Sequence, residues 1–243
     1  MCKGITIIPD IHGRTFWKEA VKTAPEGEPI VFLGDYLDPY PWDGITPEDS
    51  TGVLREVIAL KRERPEDVTL LLGNHDLGYL DPDICFCRRD HRGAYVNRQI
   101  LEENLDLFDI IHEESIGGVK VLFSHAGLGL SWLGRHRDLF RPDGFNPGSL
   151  NNMLHEPALR PLLYSALADA SPLRGGLDPT GSPVWADAEE YRTCERLLPG
   201  YLQLFGHSMQ EGGPLPVGDA GVCLDCRRAF ILTGSPLTLA PLP

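Results

Sequence analysis

Five short stretches of this chain carry residues that bind divalent metals, and each follows directly on an apolar run. Ile5 to Ile8 leads into Asp10-Ile-His12-Gly13, Ile30 to Leu33 into Gly34-Asp35-Tyr-Leu-Asp38, and Val68 to Leu72 into Gly73-Asn74-His75-Asp76. Further on, Val119 to Phe123 leads into Ser124-His125-Ala-Gly127, and Tyr201 to Phe205 into Gly206-His207-Ser208. Imidazole and carboxylate together suit Zn²⁺, Fe and Mn²⁺, whereas an all-oxygen cage would select Ca²⁺ or Mg²⁺. Each stretch alone says little: Asp-x-His is common, and Gly-Asp and Asn-His usually mark turns or loops. Five in order, each closing an apolar run, point to one metal site.

The elements that would position them can be read from the spacing. The apolar runs read as short buried strands, stopped by Pro9, Gly34 and Gly73. Helical spacing follows the first run in Phe16, Trp17, Ala20 and Val21. Thr46-Pro47-Glu48-Asp49 announces a second helix, with a hydroxyl at the N-cap, proline in the first turn and a carboxylate three residues on. Its apolar face is Val53, Leu54, Val57 and Ile58, and Pro65 lies beyond its end. Strands alternating with helices imply right-handed βαβ units and a largely parallel sheet. Ligands of such sheets collect outside the carboxyl ends of the strands, so Asp10, His12, Asp35, Asn74, His125 and His207 are delivered to one edge. Residues 131–200 are rich in Pro, Gly, Leu and Arg, with a helical patch at Leu159 to Leu167. They read as a helical and loop insertion within a single domain spanning 1–243. Strands resume at 201–205, 222–224 and 230–232, and the end, with Pro236, Pro241 and Pro243, reads as a surface tail.

Composition narrows the class of partner. Thirty-five acidic residues against 22 basic ones give a formal net charge of −13. Such a surface repels a phosphate backbone and attracts cations, so nucleic acid is excluded as a general partner. No run approaches the ~18 apolar residues that a membrane span needs. The first residues lack a basic segment followed by a long apolar one, so the expected location is cytoplasmic. Cys2, Cys85, Cys87, Cys194, Cys223 and Cys226 are scattered, which reads as free thiols. Cys223-Leu-Asp-Cys226 has no second pair at zinc-ribbon spacing and reads as part of a strand.

The ordered set of motifs resembles the calcineurin-like metallophosphoesterase superfamily, and within it the bacterial and phage serine/threonine protein phosphatases. The resemblance runs over about residues 5–232 and is weak across 131–200. It implies an α/β fold of two facing mixed β-sheets flanked by helices, a four-layer α/β/β/α sandwich, with a dimetal centre at one edge. Carried over, Asp10 and His12 would hold the first metal, Asp35 would bridge both, and Asn74, His125 and His207 would complete the second. Many relatives have a further histidine two positions after the last ligand, where this chain has Met209. The ions would be Mn²⁺ first, with Fe or Zn²⁺ as alternatives. The expected reaction is hydrolysis of a phosphate monoester by in-line attack of a metal-bridging hydroxide. Its substrate would be a phosphoprotein or a phosphorylated small molecule. His75, whose neighbour Asn74 already points at the metal, is placed to protonate the leaving group. Asp38 resembles the family carboxylate that orients this histidine.

One position departs from the pattern. The protein-phosphatase motif continues after Asp38 with Arg-Gly, and that arginine grips the substrate phosphate; here Pro39-Tyr40 follows. Substitutes are Arg14, the cluster Arg88, Arg89 and Arg92, and Arg192, the last favoured by the Trp185-Ala-Asp187 segment. Two other functions share the motifs. One is hydrolysis of diadenosine polyphosphates or other nucleotide anhydrides, for which Tyr36, Tyr40, Trp42 and Tyr95 could hold bases. The other is a catalytically inactive metal-binding module, which the intact ligand set and His75 argue against.

Overall fold

The computed structural model describes residues 4–81, 87–234 and 236–242. Cys2, Cys85 and Pro243 lie outside them. The chain forms two compact units, each built on one mixed sheet.

The first unit runs to Phe108 and takes in Ile116–Gly118 and the stretch from Arg227 onward. Its strands are β1 (Gly4–Ile8), β2 (Ile30–Phe32), β3 (Val68–Leu71), β4 (Phe108–Asp109), β10 (Phe230–Thr233) and β11 (Thr238–Pro241), in the order β11-β10-β1-β2-β3-β4. β1, β2 and β3 are parallel, and β10 joins β1 antiparallel. β1 is buried along its whole length, which is why it reads as a near-continuous apolar run, interrupted only by Thr6, and not as an alternation. The connections are α1 (Trp17–Thr23) and α2 (Pro47–Glu63). At the start of α2 the Thr46 hydroxyl accepts from the Asp49 N–H at 3.1 Å, and the Asp49 carboxylate accepts from the Thr46 N–H at 3.2 Å. That reciprocal cap, with Pro47 in the first turn, fixes where the helix begins. Val53, Leu54, Val57 and Ile58 are its buried face.

Two findings depart from the sequence reading. The proline-bearing end is an edge strand and not a surface tail: β11 pairs with β10, Leu239 opposite Leu232. An edge strand tolerates Pro241 because one side of its backbone needs no ladder bond. The segment after β3 is also more than a loop. Asn74 opens a helix, α3 (Asn74–Leu80), all seven of whose residues are buried, and α4 (Ala94–Glu103) follows. A helix buried on every side has no polar face, so no helical period shows in its sequence.

The second unit comprises Asp109–Ser115 and Val119–Cys226. Its strands are β5 (Ile111–Ile116), β6 (Val119–Ser124), β7 (Leu202–Phe205), β8 (Leu215–Val217) and β9 (Gly221–Cys223), in the order β5-β6-β7-β9-β8. β6, β7 and β9 are parallel, and β8 is antiparallel to β9. Residues 131–200 supply α5 (Leu130–Arg135), α6 (Gly148–His155), α7 (Arg160–Leu167) and α8 (Ala188–Thr193). Ala186, Ala188 and Tyr191 pack with Phe205, Val217 and Cys223, so this segment shares a core with its sheet. Cys223 and Cys226 are buried and are not joined in a disulfide. No helix among the described residues is long and apolar enough to cross a membrane.

Candidate active site

In the first unit the ends of β1, β2 and β3 bring one set of polar groups together. Asp10, His12, Asp35, Asp38, Asn74 and His75 are all buried. His12 Nε2 lies 3.5 Å from Asp35 Oδ2, and ligand atoms of His12, Asp35 and His75 fall within 4.8 Å of one another. Holding them requires tight loops. Gly34 has φ +103°, and a Cβ on it would strike the backbone of Gly73, while a Cβ on Gly73 would collide with the Asp35 carboxylate. The loops themselves are bent against preference. Among the described residues five non-glycines have positive φ, and four are His12, Asp35, Asp38 and His207, at 46°, 55°, 58° and 66°.

Asp76 ties two of these loops. It lies on α3 and accepts from the backbone N–H groups of Asp35 at 2.8 Å, Tyr36 at 3.1 Å and Gly73 at 2.9 Å. Burial, then repulsion from Asp35, pushes its carboxyl well above the usual range, although the three donors pull the other way. Asp35 in turn accepts from the N–H of His75 at 3.0 Å through Oδ1.

Each histidine of this set has a defined state. His12 Nδ1 bonds the Leu37 carbonyl at 2.7 Å, so Nδ1 carries the proton and Nε2 presents its lone pair. Burial, with smaller contributions from His75 and Arg88, outweighs attraction to Asp35 and holds the His12 pKa well below its ordinary value. A neutral imidazole with a free Nε2 is what a metal needs. His75 goes the other way. Burial opposes its charge, but Asp35, the Asp38 bond and the Cys87 side chain together raise its pKa well above the ordinary value. Its Nδ1 is 2.8 Å from Asp38 Oδ2, and Tyr79 O–H and the Asp90 N–H both donate to Asp38 Oδ1, at 2.6 and 3.0 Å.

In the second unit His125 follows β6 and His207 follows β7, both buried. His125 Nε2 and His207 Nδ1 are 3.2 Å apart. Two ligand nitrogens at ~2.0–2.1 Å from one tetrahedral ion stand about 3.3 Å apart, so the pair has the span of a chelate. Both donor sets therefore fit a borderline divalent metal by ligand type and spacing, and His12 by its tautomer as well.

This architecture and this donor set decide the assignment. The chain belongs to the calcineurin-like phosphoesterase family. The family model matches residues 4–211, and two mixed sheets of six and five strands with helices agree with its fold. Its members are metal-dependent hydrolases of phosphoric esters, and so is this protein. The fold is similar to that of a cold-active protein-tyrosine phosphatase from a Shewanella species, at 18% identity and a TM-score of 0.60, covering 100% of this chain and 81% of that one. It is also similar to a protein serine/threonine phosphatase from Saccharomyces cerevisiae, at 15% identity and a TM-score of 0.50, covering 95% and 72%. No curated protein matches.

The arginines fall in different places. Arg14 donates to Asp43 from Nε at 3.1 Å and Nη2 at 2.7 Å, and its Nη1 points at the carbonyls of Asp10 and Ile11. Arg89 lies over the Tyr79 ring at 4.8 Å. Arg192 is exposed at the end of α8 and pairs with Glu189 at 2.8 Å. Of the aromatic candidates, Tyr36 is a core residue whose hydroxyl bonds the Leu71 carbonyl, so it cannot meet a base. Tyr40 and Trp42 stack at 4.8 Å, with Trp42 65% exposed, and Tyr95 is exposed. Sequence reasoning missed Arg174, which reaches Ser208 Oγ at 2.6 Å, the His207 carbonyl at 3.3 Å and Asp187 at 2.7 Å. It also missed the Asp76 brace and Tyr79. Arg174 and Tyr79 act across tertiary contacts that no spacing rule marks; Asp76 has one local bond, to the N–H of Gly73 three residues back, but its bonds to Asp35 and Tyr36 are equally distant.

Proposed function

We propose that this phosphoesterase hydrolyses phosphate monoesters, with His75 as general acid and Asp38 as its orienting carboxylate. Asp10 and His12 would hold one divalent ion, Asn74, His125 and His207 a second, and Asp35 both; the domain would be one unit of catalysis with 131–200 as its insertion. Bound there, two divalent ions, Mn²⁺ foremost and Fe or Zn²⁺ as alternatives, supply a nucleophile from water at neutral pH and offset phosphoryl charge. The rest of the chemistry belongs to the chain. His75 stands beside the ligand set with its Nδ1 proton on Asp38, which leaves the other ring nitrogen to deliver a proton to the departing oxygen. Tyr79 and the Asp90 N–H keep the Asp38 carboxylate from turning away.

The observation that carries this reading is the buried His75–Asp38 pair, Nδ1 to Oδ2 at 2.8 Å, with ligand atoms of His12, Asp35 and His75 within 4.8 Å of one another. A metal-binding module without catalysis has no use for such an acid. That solved phosphatases of protein substrates share the fold supports a phosphoprotein or similar monoester as substrate. A second reading, hydrolysis of nucleotide anhydrides, has the exposed Trp42 stacked on Tyr40 in its favour. A panel of p-nitrophenyl phosphate, phosphoseryl and phosphotyrosyl peptides, a diester and diadenosine tetraphosphate, assayed with Mn²⁺, separates the readings. Monoesters should give the highest kcat/KM, and a clear preference for the dinucleotide would overturn the choice.

A further inference from the structure

The loop that carries Asp35 and Asp38 continues into Pro39 and Tyr40, and holds no cation of its own. A guanidinium nevertheless arrives there from another part of the chain. Arg88 Nε donates to the carbonyl of Asp38 at 3.0 Å, which anchors the side chain to that loop's backbone. Its guanidinium carbon lies 3.6 Å from the centre of the Tyr40 ring, close enough for the ring face to hold it by charge–quadrupole attraction. Its Nη2 reaches 3.3 Å from His12 Nδ1 and 3.5 Å from His12 Nε2.

Neither of those last two contacts gives Nη2 an acceptor. His12 Nδ1 spends its proton on Leu37, so it has no lone pair to offer. His12 Nε2 has a lone pair, but that is the one a metal takes. Arg88 also forms no ion pair with a carboxylate among the described residues, unlike Arg14 and Arg192. A guanidinium beside a metal ligand, with no anion of its own, is repelled by the ion unless an anion lies between them. A cavity of about 250 Å³ opens beside it, lined in part by Asp38, Pro39, Tyr40, Arg88 and Arg89.

We propose that Arg88, seated on Tyr40, grips a non-bridging oxygen of the substrate phosphate, with Tyr40 as its positioning residue. The inference rests on the dimetal reading above. Planar N–H donors match phosphate oxygens, and a dianionic monoester gains more from them than a diester carrying a single charge.

The test uses the full chain loaded with Mn²⁺. Inorganic phosphate is titrated calorimetrically, and KM and kcat are measured for p-nitrophenyl phosphate and bis(p-nitrophenyl) phosphate. Arg88→Ala should weaken phosphate and raise the monoester KM by ~30- to 150-fold, while changing the diester far less. Arg88→Lys should recover part of the loss, which a merely misfolded site would not. Tyr40→Leu should shift phosphate affinity in the same direction, and the double variant should be no worse than Arg88→Ala alone. Arg98→Ala, at an exposed arginine of α4, controls for surface charge. Unchanged phosphate affinity in Arg88→Ala with a normal metal content overturns the clamp and leaves the dimetal reading standing. Strictly additive losses for Arg88 and Tyr40 overturn the platform. A wild-type chain that takes up no metal overturns both.

Discussion

Asp76 is the residue whose removal should disturb this molecule most while touching no substrate. In Asp76→Ala three buried N–H groups, those of Asp35, Tyr36 and Gly73, lose their acceptor together. A buried donor left unsatisfied costs about 1–3 kcal/mol, so the three would sum to ~3–9 kcal/mol. Some of that returns, because the wild type holds a carboxylate in a dry site beside Asp35, at the cost its raised pKa records. A net loss of ~3–5 kcal/mol is expected, as when one partner of a buried charged contact is deleted. For a chain of this length about 2–4 °C accompanies each kcal/mol, so Tm should fall by roughly 6–20 °C. Asp76→Asn separates the two contributions, since its oxygen keeps two donors but its NH₂ faces the N–H of Tyr36. The sign follows from linkage. A carboxyl whose folded pKa is raised above its ordinary 3.8 costs stability as pH climbs through that interval. Divalent ions on Asp35 remove part of the repulsion. Asp76→Asn should therefore lose more, relative to wild type, in Mn²⁺ than in chelator at pH 7. Thermal unfolding with and without Mn²⁺, alongside elemental analysis, reads all of this. An Asp76→Ala protein that melts within ~2 °C of wild type and keeps its metal would show that the two loops hold themselves.

Asn74→Ala should lower metal content, whereas His75→Ala should keep it and lower kcat by ~10²–10⁴-fold, less for p-nitrophenyl phosphate than for a phosphoseryl ester. Equal losses on both substrates would give His75 some other task. Because Asp38 helps raise the His75 pKa, and the acid must be protonated to act, activity should fall as pH rises through that pKa. Asp38→Asn should move the falling limb of the pH profile to lower pH, and an unmoved limb would remove Asp38 from the role. Dialysis against a chelator should abolish hydrolysis and lower Tm, with Mn²⁺ restoring both; activity that survives metal removal would end the two-ion account.

How much of this could be read from residues alone depends on how far each signal reaches along the chain. β1, β2 and β3 were legible because buried parallel strands are near-continuous apolar runs, and the Pro9, Gly34 and Gly73 that stop them stand next to those runs in the chain. The start of α2 was legible for the same reason, since Thr46, Pro47 and Asp49 close their cap within one turn. α3 was not, because a helix buried on all faces carries no period. β11 was not, because its prolines read as a tail until β10 is there to pair with it. The candidate ligands are near their strand ends in sequence, so their presence was visible. What fixes their states was not: the Leu37 carbonyl on His12, the Tyr79 hydroxyl on Asp38 and the Arg88 guanidinium over Tyr40 all cross from one segment to another.

The positive φ angles explain why the brace had to come from elsewhere in the chain. His12, Asp35 and Asp38 each sit in a backbone region that costs a non-glycine residue on the order of 1 kcal/mol or more. Left alone, those loops would relax and carry their side chains off the site. Glycine would remove the cost but could not supply an imidazole or a carboxylate. The strain is therefore inseparable from the chemistry, and something rigid must hold it. Gly34 and Gly73 let β2 and β3 end close together, and the Asp76 carboxylate, fixed on a fully buried helix, then locks both loops through their own N–H groups. The sharpest turns in the first unit and its most buried carboxylate are two halves of one device, which keeps Asp35 and His75 in register.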